Sequence, residues 1–229
     1  RTMLASRSIR LSLVALAFLL SLSVGARGAA AQDYVWIEAE TPDSTNIEDF
    51  WTGSQKDHLI SNNQILGKRY TGNAAKNPPD GGYRAQYKMD VPAGGKYDAW
   101  ARIGMEWIRA PFEWRVGDGE WRKGPADKPT TNVMELVRYN EIAWLDLGEI
   151  DLDEGDTTLT IRYTETQENR DDMFIILDCF AFVPSEQDWI PGGHLKPGEQ
   201  YDAEIDIQAR DKVYELGAAG DAGQRMELE

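Results

Sequence analysis

"MFIILDCFAFV", residues 173–183, is apolar on both faces apart from one acid, Asp178. Successive side chains of a strand point to opposite faces, so a half-exposed strand alternates polar with apolar residues. This stretch does not alternate, and the reading is a central strand covered on both sides. Asp178 then sits among Ile175, Ile176, Leu177, Cys179, Phe180 and Phe182. A carboxylate in such surroundings needs a cation or strong hydrogen bonds, because desolvating it unpaired is very costly.

Outward from this strand the chain shows no long helical periodicity. Short alternating runs are punctuated by Gly, Pro, Asn and Asp clusters, which is how an all-β sandwich reads. "GYRAQYKMDV" (82–91) passes through "PAGG" (92–95) into "KYDAWARI" (96–103), where Tyr97, Ala99, Ala101 and Ile103 share a face. "PFEWRV" (111–116), "GDG" (117–119) and "EWRKG" give a hairpin signal. "AWLDLGEIDL" (143–152) meets "DEGD" (153–156), read as a second hairpin turn, before "TTLTIRY" (157–163) with Leu159, Ile161 and Tyr163 together. Trp100 and Trp144, both on strands, are expected in the core. The fold class expected is therefore all-β, a two-sheet β-sandwich of the jelly-roll type. The polar, loop-rich segment 41–81 has the length of a functional or wrapping excursion. Residues 185–200 read as an exposed linker. Residues 201–229 resume β-like alternation, as the start of a further β domain or a tail.

Residues 1–31 read as a secretory signal peptide with a helical apolar stretch. Arg7 and Arg10 precede "LSLVALAFLLSLSVG" (11–25), and Ala29 and Ala31 fit the small-residue positions before a cut after Ala31. The expected location is secreted or periplasmic, with no membrane attachment once the signal is removed. The net charge of −15 becomes −19 without that segment, which holds four arginines and no acids. Nucleic-acid and anionic-membrane binding, which need basic patches, are disfavoured. Cys179 is the only cysteine, so no intramolecular disulfide forms. The core of domain 32–184 must hold itself, with the help of a metal at most.

Two further acids break a strand pattern. In "YVWIEAE" (34–40), Trp36, Glu38 and Glu40 share one face. Their carboxylates lie about 6–7 Å apart, and at an effective dielectric near 20 their repulsion costs about 2–3 kcal/mol if both stay charged and unpaired. If the first and last strands are neighbours, Glu38, Glu40 and Asp178 converge. Hard oxygen ligands around one point suit Ca²⁺; pairing of each acid with an arginine, or solvation of Glu38, is the other outcome open from the pattern.

Other chemistry finds no support in the sequence. "DLDEGD" (151–156) has its glycine at the fifth position and lacks the twelfth-position glutamate of a calcium hand. His58 and His194 are far apart, and no G-x-S-x-G or phosphate loop is present. Among 39 acids, no pair is singled out as a glycosidase dyad.

The order "WIEAE", "VPAGGKYDAWARI", "WLDLGEIDLDEGDTTLTIRY", "IILDCFAFV" resembles carbohydrate-binding modules of families 6 and 35, over roughly residues 34–183. The resemblance implies a non-catalytic sugar-binding jelly roll. It also implies that Glu38, Glu40 and Asp178 bind a structural calcium tying the two chain ends together. Modules of this kind bind sugars at loops on one end of the sandwich or on a concave sheet face. Sugar rings want an aromatic platform with hydrogen-bonding side chains beside it. "GMEWIRAP" (104–111) offers Trp107 and Arg109, and "TETQENRDD" (164–172) offers Asn169 and Arg170. By resemblance Trp107 and Asn169 come first, with Tyr70 and Trp51 of the early loop as an opposite wall. Arg109 and Arg170 would suit uronic acids, although the overall negative charge opposes them at low salt. The tail "DKVYELGAAGDAGQRMELE" resembles the run-in to the β-sandwich of family 2 glycoside hydrolases, which implies a downstream catalytic domain in the same chain. The function expected is a secreted module, not itself an enzyme, that targets an attached enzyme to polysaccharide. The rivals are a structural sandwich packed on a neighbouring catalytic domain, and a jelly-roll polysaccharide lyase or glycosidase.

Overall fold

A computed structural model of the chain describes residues 33–48, 59–104, 109–125, 130–137 and 140–199. The signal segment, the tail from 200 onward, and Trp51, His58 and Trp107 lie outside the described residues.

Among the described residues the strands form two antiparallel sheets packed face to face, with one four-residue helix. The first sheet holds β1 (Val35–Glu38), β3 (Leu66–Thr71), β5 (Gly95–Gly104), β8 (Thr131–Val137), β9 (Asn140–Leu152) and β11 (Asp172–Pro184). Its order is β1-β11-β5-β9-β8, with β3 continuing the β1 edge along the first half of β11. The second sheet holds β2 (Ser44–Thr45), β4 (Tyr83–Val91), β6 (Glu113–Val116), β7 (Arg122–Lys123) and β10 (Gly155–Tyr163), in the order β2-β4-β10-β6-β7. Helix α1 (Asn73–Lys76) follows β3. The β-sandwich expected from alternation is present. The first and last strands are neighbours: Val35 faces Phe182 and Glu38 faces Cys179.

Alternation explains the core. In β4 the inward set is Tyr83, Ala85, Tyr87, Met89 and Val91; in β5 it is Tyr97, Ala99, Ala101 and Ile103. From β10 come Leu159, Ile161 and Tyr163, and β11 adds Ile175, Leu177, Phe180 and Phe182. Trp114 fills the space against Phe182.

The turn at 117–119 does join a pair, β6 with β7, as its hairpin signal predicts. The "DEGD" stretch does not. β9 pairs with β5 and β8 whereas β10 pairs with β4 and β6, so this corner carries the chain from one sheet to the other. The "PAGG" turn does the same between β4 and β5. A tight turn looks alike in sequence whether the next strand pairs beside the last or crosses the core. Gly155, at φ +109, supplies the backbone conformation that the β9–β10 corner needs.

Strand β11 is central, as its apolar pattern predicts, and its outer face is covered in two patches. Leu59, Ile60 and Ile65 pack with Met134, Leu136, Ile142 and Ile176 over one half. Over the other half Trp144, Cys179, Ala181 and Val183 meet Tyr34, Trp36, Trp100 and Trp189. Residues 185–199, read from sequence as an exposed linker, supply part of that cover. Trp189 meets Trp144 edge-on at 5.5 Å, and the Trp144 indole N–H donates to the Gly193 carbonyl at 2.6 Å.

Between the two patches lies Asp178. It is the extra residue of a β-bulge, since Leu177 and Cys179 face the consecutive residues Ile103 and Arg102. The bulge lets Leu177 and Phe180 both face the core and aims Asp178 at Arg102. The Arg102 Nη1 donates to Asp178 Oδ2 at 2.6 Å, with both side chains fully buried. Nη2 donates to the Leu59 carbonyl at 2.8 Å, and the Ser61 amide donates to Asp178 Oδ1 at 2.9 Å. Burial nevertheless pushes the Asp178 carboxyl up to about 6, desolvation outweighing the guanidinium. A raised carboxyl stabilises the fold fully below its unfolded value of 3.8, and that contribution is lost as pH rises through about 6.

Replacing Arg102 by Met leaves a buried carboxylate without its cation and should lower stability by about 3–5 kcal/mol near pH 7.5. In urea unfolding, the loss should shrink near pH 5, where Asp178 takes up a proton. The double change Arg102→Met with Asp178→Leu should recover most of it. A single change as harmless as the double would refute this account of the pair.

Candidate functional site

Two loops meet at the end of the sandwich where β10 finishes and β11 begins. Arg170 closes a short turn through its amide to the Gln167 carbonyl at 3.1 Å, with Asn169 at φ +62 in the left-handed region that asparagine tolerates. Strand β3 runs alongside, Thr71 opposite Asp172 and Arg69 opposite Phe174. On the other side of Phe174, Arg109 forms an isolated bridge, and the Ala110 amide donates to the Phe174 carbonyl at 3.4 Å. Arg109 and Ala110 thus lie against the first residues of β11, next to the loop that carries Asn169 and Arg170.

At this end an open pocket of about 390 Å³ is lined by Arg69, Thr71, Gly72, Asn169, Arg170, Asp171 and Asp172. Its base is organised by Asp172. Arg170 grips this carboxylate with two N–H groups, Nε to Oδ1 at 2.8 Å and Nη2 to Oδ2 at 3.2 Å. Arg69 adds two more, from Nη2 at 2.9 Å and Nε at 3.3 Å. The two guanidinium groups also sit 4.9 Å (Arg69) and 5.8 Å (Arg170) from the ring centre of Phe174. Hydrogen bonds from Arg170 first, then Arg69, hold the Asp172 carboxyl below the usual carboxylate range. Asp171 turns away to Lys76 at 2.6 Å.

Of the residues expected to bind ligand, Asn169 and Arg170 line this pocket. Arg109 lies beside it on the far side of Phe174. Tyr70 does not form a wall: it is core, stacked on Tyr83 with ring centres 3.6 Å apart. The reason is strand parity. Tyr70 lies on β3 between the outward Arg69 and Thr71, so its ring faces the inter-sheet core. Trp107 is outside the described residues, and none of the lining residues is aromatic. Arg69 and Asp172 were missed from the sequence. Asp172 stood at the start of the apolar strand as a visible acid, whereas nothing marked β3 as the strand that meets it.

The three acids expected at a metal lie near one another but are held differently. Glu38 accepts the Trp36 indole N–H at 2.9 Å and has Lys196 Nζ at 3.6 Å. Glu40 accepts the Asn62 amide at 2.6 Å, and desolvation raises its carboxyl. Oε2 of Glu38 and Oε2 of Glu40 are buried with no hydrogen-bond partner. Asp178 has spent both oxygens on Arg102 and Ser61. Among the described residues no group of three or more His, Cys, Asp or Glu is placed to hold a metal. The donor chemistry that fits a hard cation is thus that of Glu38 and Glu40.

A second pocket, about 570 Å³, opens at the other end of the sandwich beside the β9–β10 corner, with Trp121 in its lining. No residue singled out from the sequence lines it. The Trp121 ring is already covered by the guanidinium of Arg162 at 3.7 Å and that of Arg115 at 4.6 Å.

Exchanging Asp172 for Asn should release both arginine forks at a cost of about 1–2 kcal/mol. A depressed carboxyl contributes stability above its unfolded value, lost as pH falls through its lower folded value. Thermal melts should therefore show a weaker fall of Tm below about pH 4 for the variant than for the parent chain. Identical acid limbs would show that Asp172 is not what holds this end.

No protein-family model matches the chain, and no curated protein matches it. Solved structures do resemble it. A β-(1,4)-mannanase of Podospora anserina, built of a family 26 glycoside hydrolase and a family 35 carbohydrate-binding module, is 13% identical with a TM-score of 0.41; the match covers 74% of this chain and 30% of that one. The C-terminal family 6 module of a marine laminarinase from Zobellia galactanivorans is 13% identical over 66% of this chain and 98% of that one, with a TM-score of 0.41. A family 35 module from Cellvibrio japonicus is 10% identical over 66% of this chain and 92% of its own, again with a TM-score of 0.41.

Proposed function

We propose that the chain is a secreted, non-catalytic carbohydrate-binding module that holds an attached enzyme near polysaccharide. The observation that carries this reading is the loop-end pocket, where Asn169 and Arg170 meet Arg69, Thr71 and Asp172 on a rigid two-sheet frame. Amide, hydroxyl and guanidinium groups at a shallow mouth are the donors and acceptors that sugar hydroxyls need. Trp107, two residues before Arg109 in the sequence, would add the apolar platform for the C–H face of a ring. Tethering of this kind raises the local concentration of substrate around a linked active site. The basic and apolar run at 1–31 supports export, and the family 2-like tail supports a downstream catalytic domain.

A structural calcium belongs to the same reading. Glu38 and Glu40 would hold it through their two buried, unpartnered oxygens. A divalent cation there would neutralise two neighbouring carboxylates that otherwise repel one another.

A glycan-array and affinity-gel screen of the full chain tests the first claim. At least one glycan should be retained, and Asn169→Gly, which keeps the positive φ, or Trp107→Ala should weaken retention about ten-fold or more, with little change in melting temperature. Absence of retention on every glycan would remove the carbohydrate reading and leave the structural-sandwich rival.

Calcium is tested separately. Chelator should lower Tm, added Ca²⁺ should restore it, and Glu38→Gln with Glu40→Gln should abolish the response. A chelator-insensitive Tm in the parent chain would refute the metal while leaving the sugar site untouched.

A further inference from the structure

Residues 185–199 are fastened to the first sheet at several points. Ser185 Oγ donates to Asp98 Oδ1 at 2.9 Å, and the Gly193 amide donates to Asn132 Oδ1 at 2.6 Å. Further along is Lys196, whose Nζ lies 3.6 Å from Glu38 Oε1 and 5.6 Å from the centre of the Trp36 ring. Glu38 is one of the two acids whose buried Oε2 atoms have no hydrogen-bond partner. We propose that Lys196 is an internal counter-ion for the Glu38–Glu40 pair, in competition with a divalent cation. Metal binding and docking of the turn at 192–199 then oppose one another. This rests on the calcium reading and deepens it.

Three features of the geometry support it. The Glu38 carboxylate is half occupied: Oε1 takes the Trp36 indole N–H and faces the ammonium, whereas Oε2 is left for a second cation. The partner of Glu40 is the uncharged amide of Asn62, so one ammonium stands against two carboxylates and the pair still attracts positive charge. Second, Lys196 is placed to let go. Its side chain is 37% exposed against 21% for Glu38, so its ammonium can exchange the carboxylate for water at small cost. Third, Lys196 belongs to a turn that closes on itself. Its amide donates to Glu199 Oε2 at 2.9 Å, and its carbonyl accepts the Glu199 amide at 3.0 Å. Displacing the ammonium therefore loosens a turn and not one side chain. The hydrogen bonds of Gly193 with Asn132 and Trp144 hold the segment upstream and limit what is released. By linkage, the docked turn weakens metal binding by the same factor as metal binding weakens the docking.

The test is calorimetric titration of Ca²⁺ into the full chain and two variants. Lys196→Met keeps an unbranched stem over Trp36 and removes the charge; Lys196→Arg keeps the charge. The expected result is Ca²⁺ affinity about three-fold or more higher in Lys196→Met than in the parent chain, with Lys196→Arg close to the parent. Hydrogen exchange reads the turn itself: Ca²⁺ should speed exchange in peptides covering 194–199 of the parent and leave those covering 185–190 unchanged. Equal affinity in the parent and Lys196→Met overturns this inference and leaves the calcium reading standing. So does weaker affinity in Lys196→Met, because Lys196 would then support the site. Exchange at 194–199 that Ca²⁺ slows or leaves unchanged also overturns the opposition between metal and turn. Absence of Ca²⁺ binding in all three chains, with a Tm that does not respond to chelator, overturns both.

Discussion

The Arg102–Asp178 ion pair is the interaction on which the first sheet depends. It lies on the sheet's outer face where water is excluded, and it links β5, β11 and the turn at 59–61 through one guanidinium and one carboxylate. Pairs of this kind contribute little net stability, because desolvation of two ions offsets their attraction. Their consequence is geometric. Asp178 reaches Arg102 only because β11 bulges there, and the bulge resets strand parity so that residues on both sides of it still fill the core. The two apolar patches that cover the sheet meet around this pair, one brought by residues 59–65 and the other by 185–199. Arg102 Nε stays buried without a hydrogen bond, so the satisfaction is not complete.

Strand β11 also carries the second acid device. Asp172 stands at its start and Asp178 six residues on, about 20 Å along an extended strand. Both grip guanidinium groups, with opposite electrostatic outcomes. At Asp178 desolvation dominates and the carboxyl rises; at Asp172 two forks near solvent dominate and it falls. The same residue type thus serves as an interior lock at one point and as the base of an open pocket at the other. The ladder of β3 along the first half of β11 is a rigid mount for that pocket and holds its two arginines in place.

Much of the sandwich was legible in the sequence. Period-two alternation in 82–91, 96–103 and 157–163 gives the strands and their inward faces, and the apolar run at 173–183, interrupted only by Asp178, gives the central strand. The anomaly of Asp178 was equally visible, since an acid among seven apolar neighbours announces that it has a partner. Its partner was not. Arg102 sits 76 residues away, and nothing local marks it as the cation that Asp178 requires. The site was half legible: Asn169 and Arg170 stand out in a polar loop, while Arg69 sits on a strand whose alternation is too weak to announce it. Tyr70 was misplaced for the same reason, because without β3 its parity is unknown.

What the sequence determined by itself is therefore local: strand, turn, buried face, and the presence of charges that cannot stand alone. Tertiary structure decided which turns pair strands and which cross the core, which arginine meets which acid, and that the segment after Val183 lies against the sheet. Those outcomes rest on contacts between residues far apart in the chain. Local propensity and periodicity describe each segment's own preference, whereas pairing is chosen by the global minimum of buried area and satisfied charge.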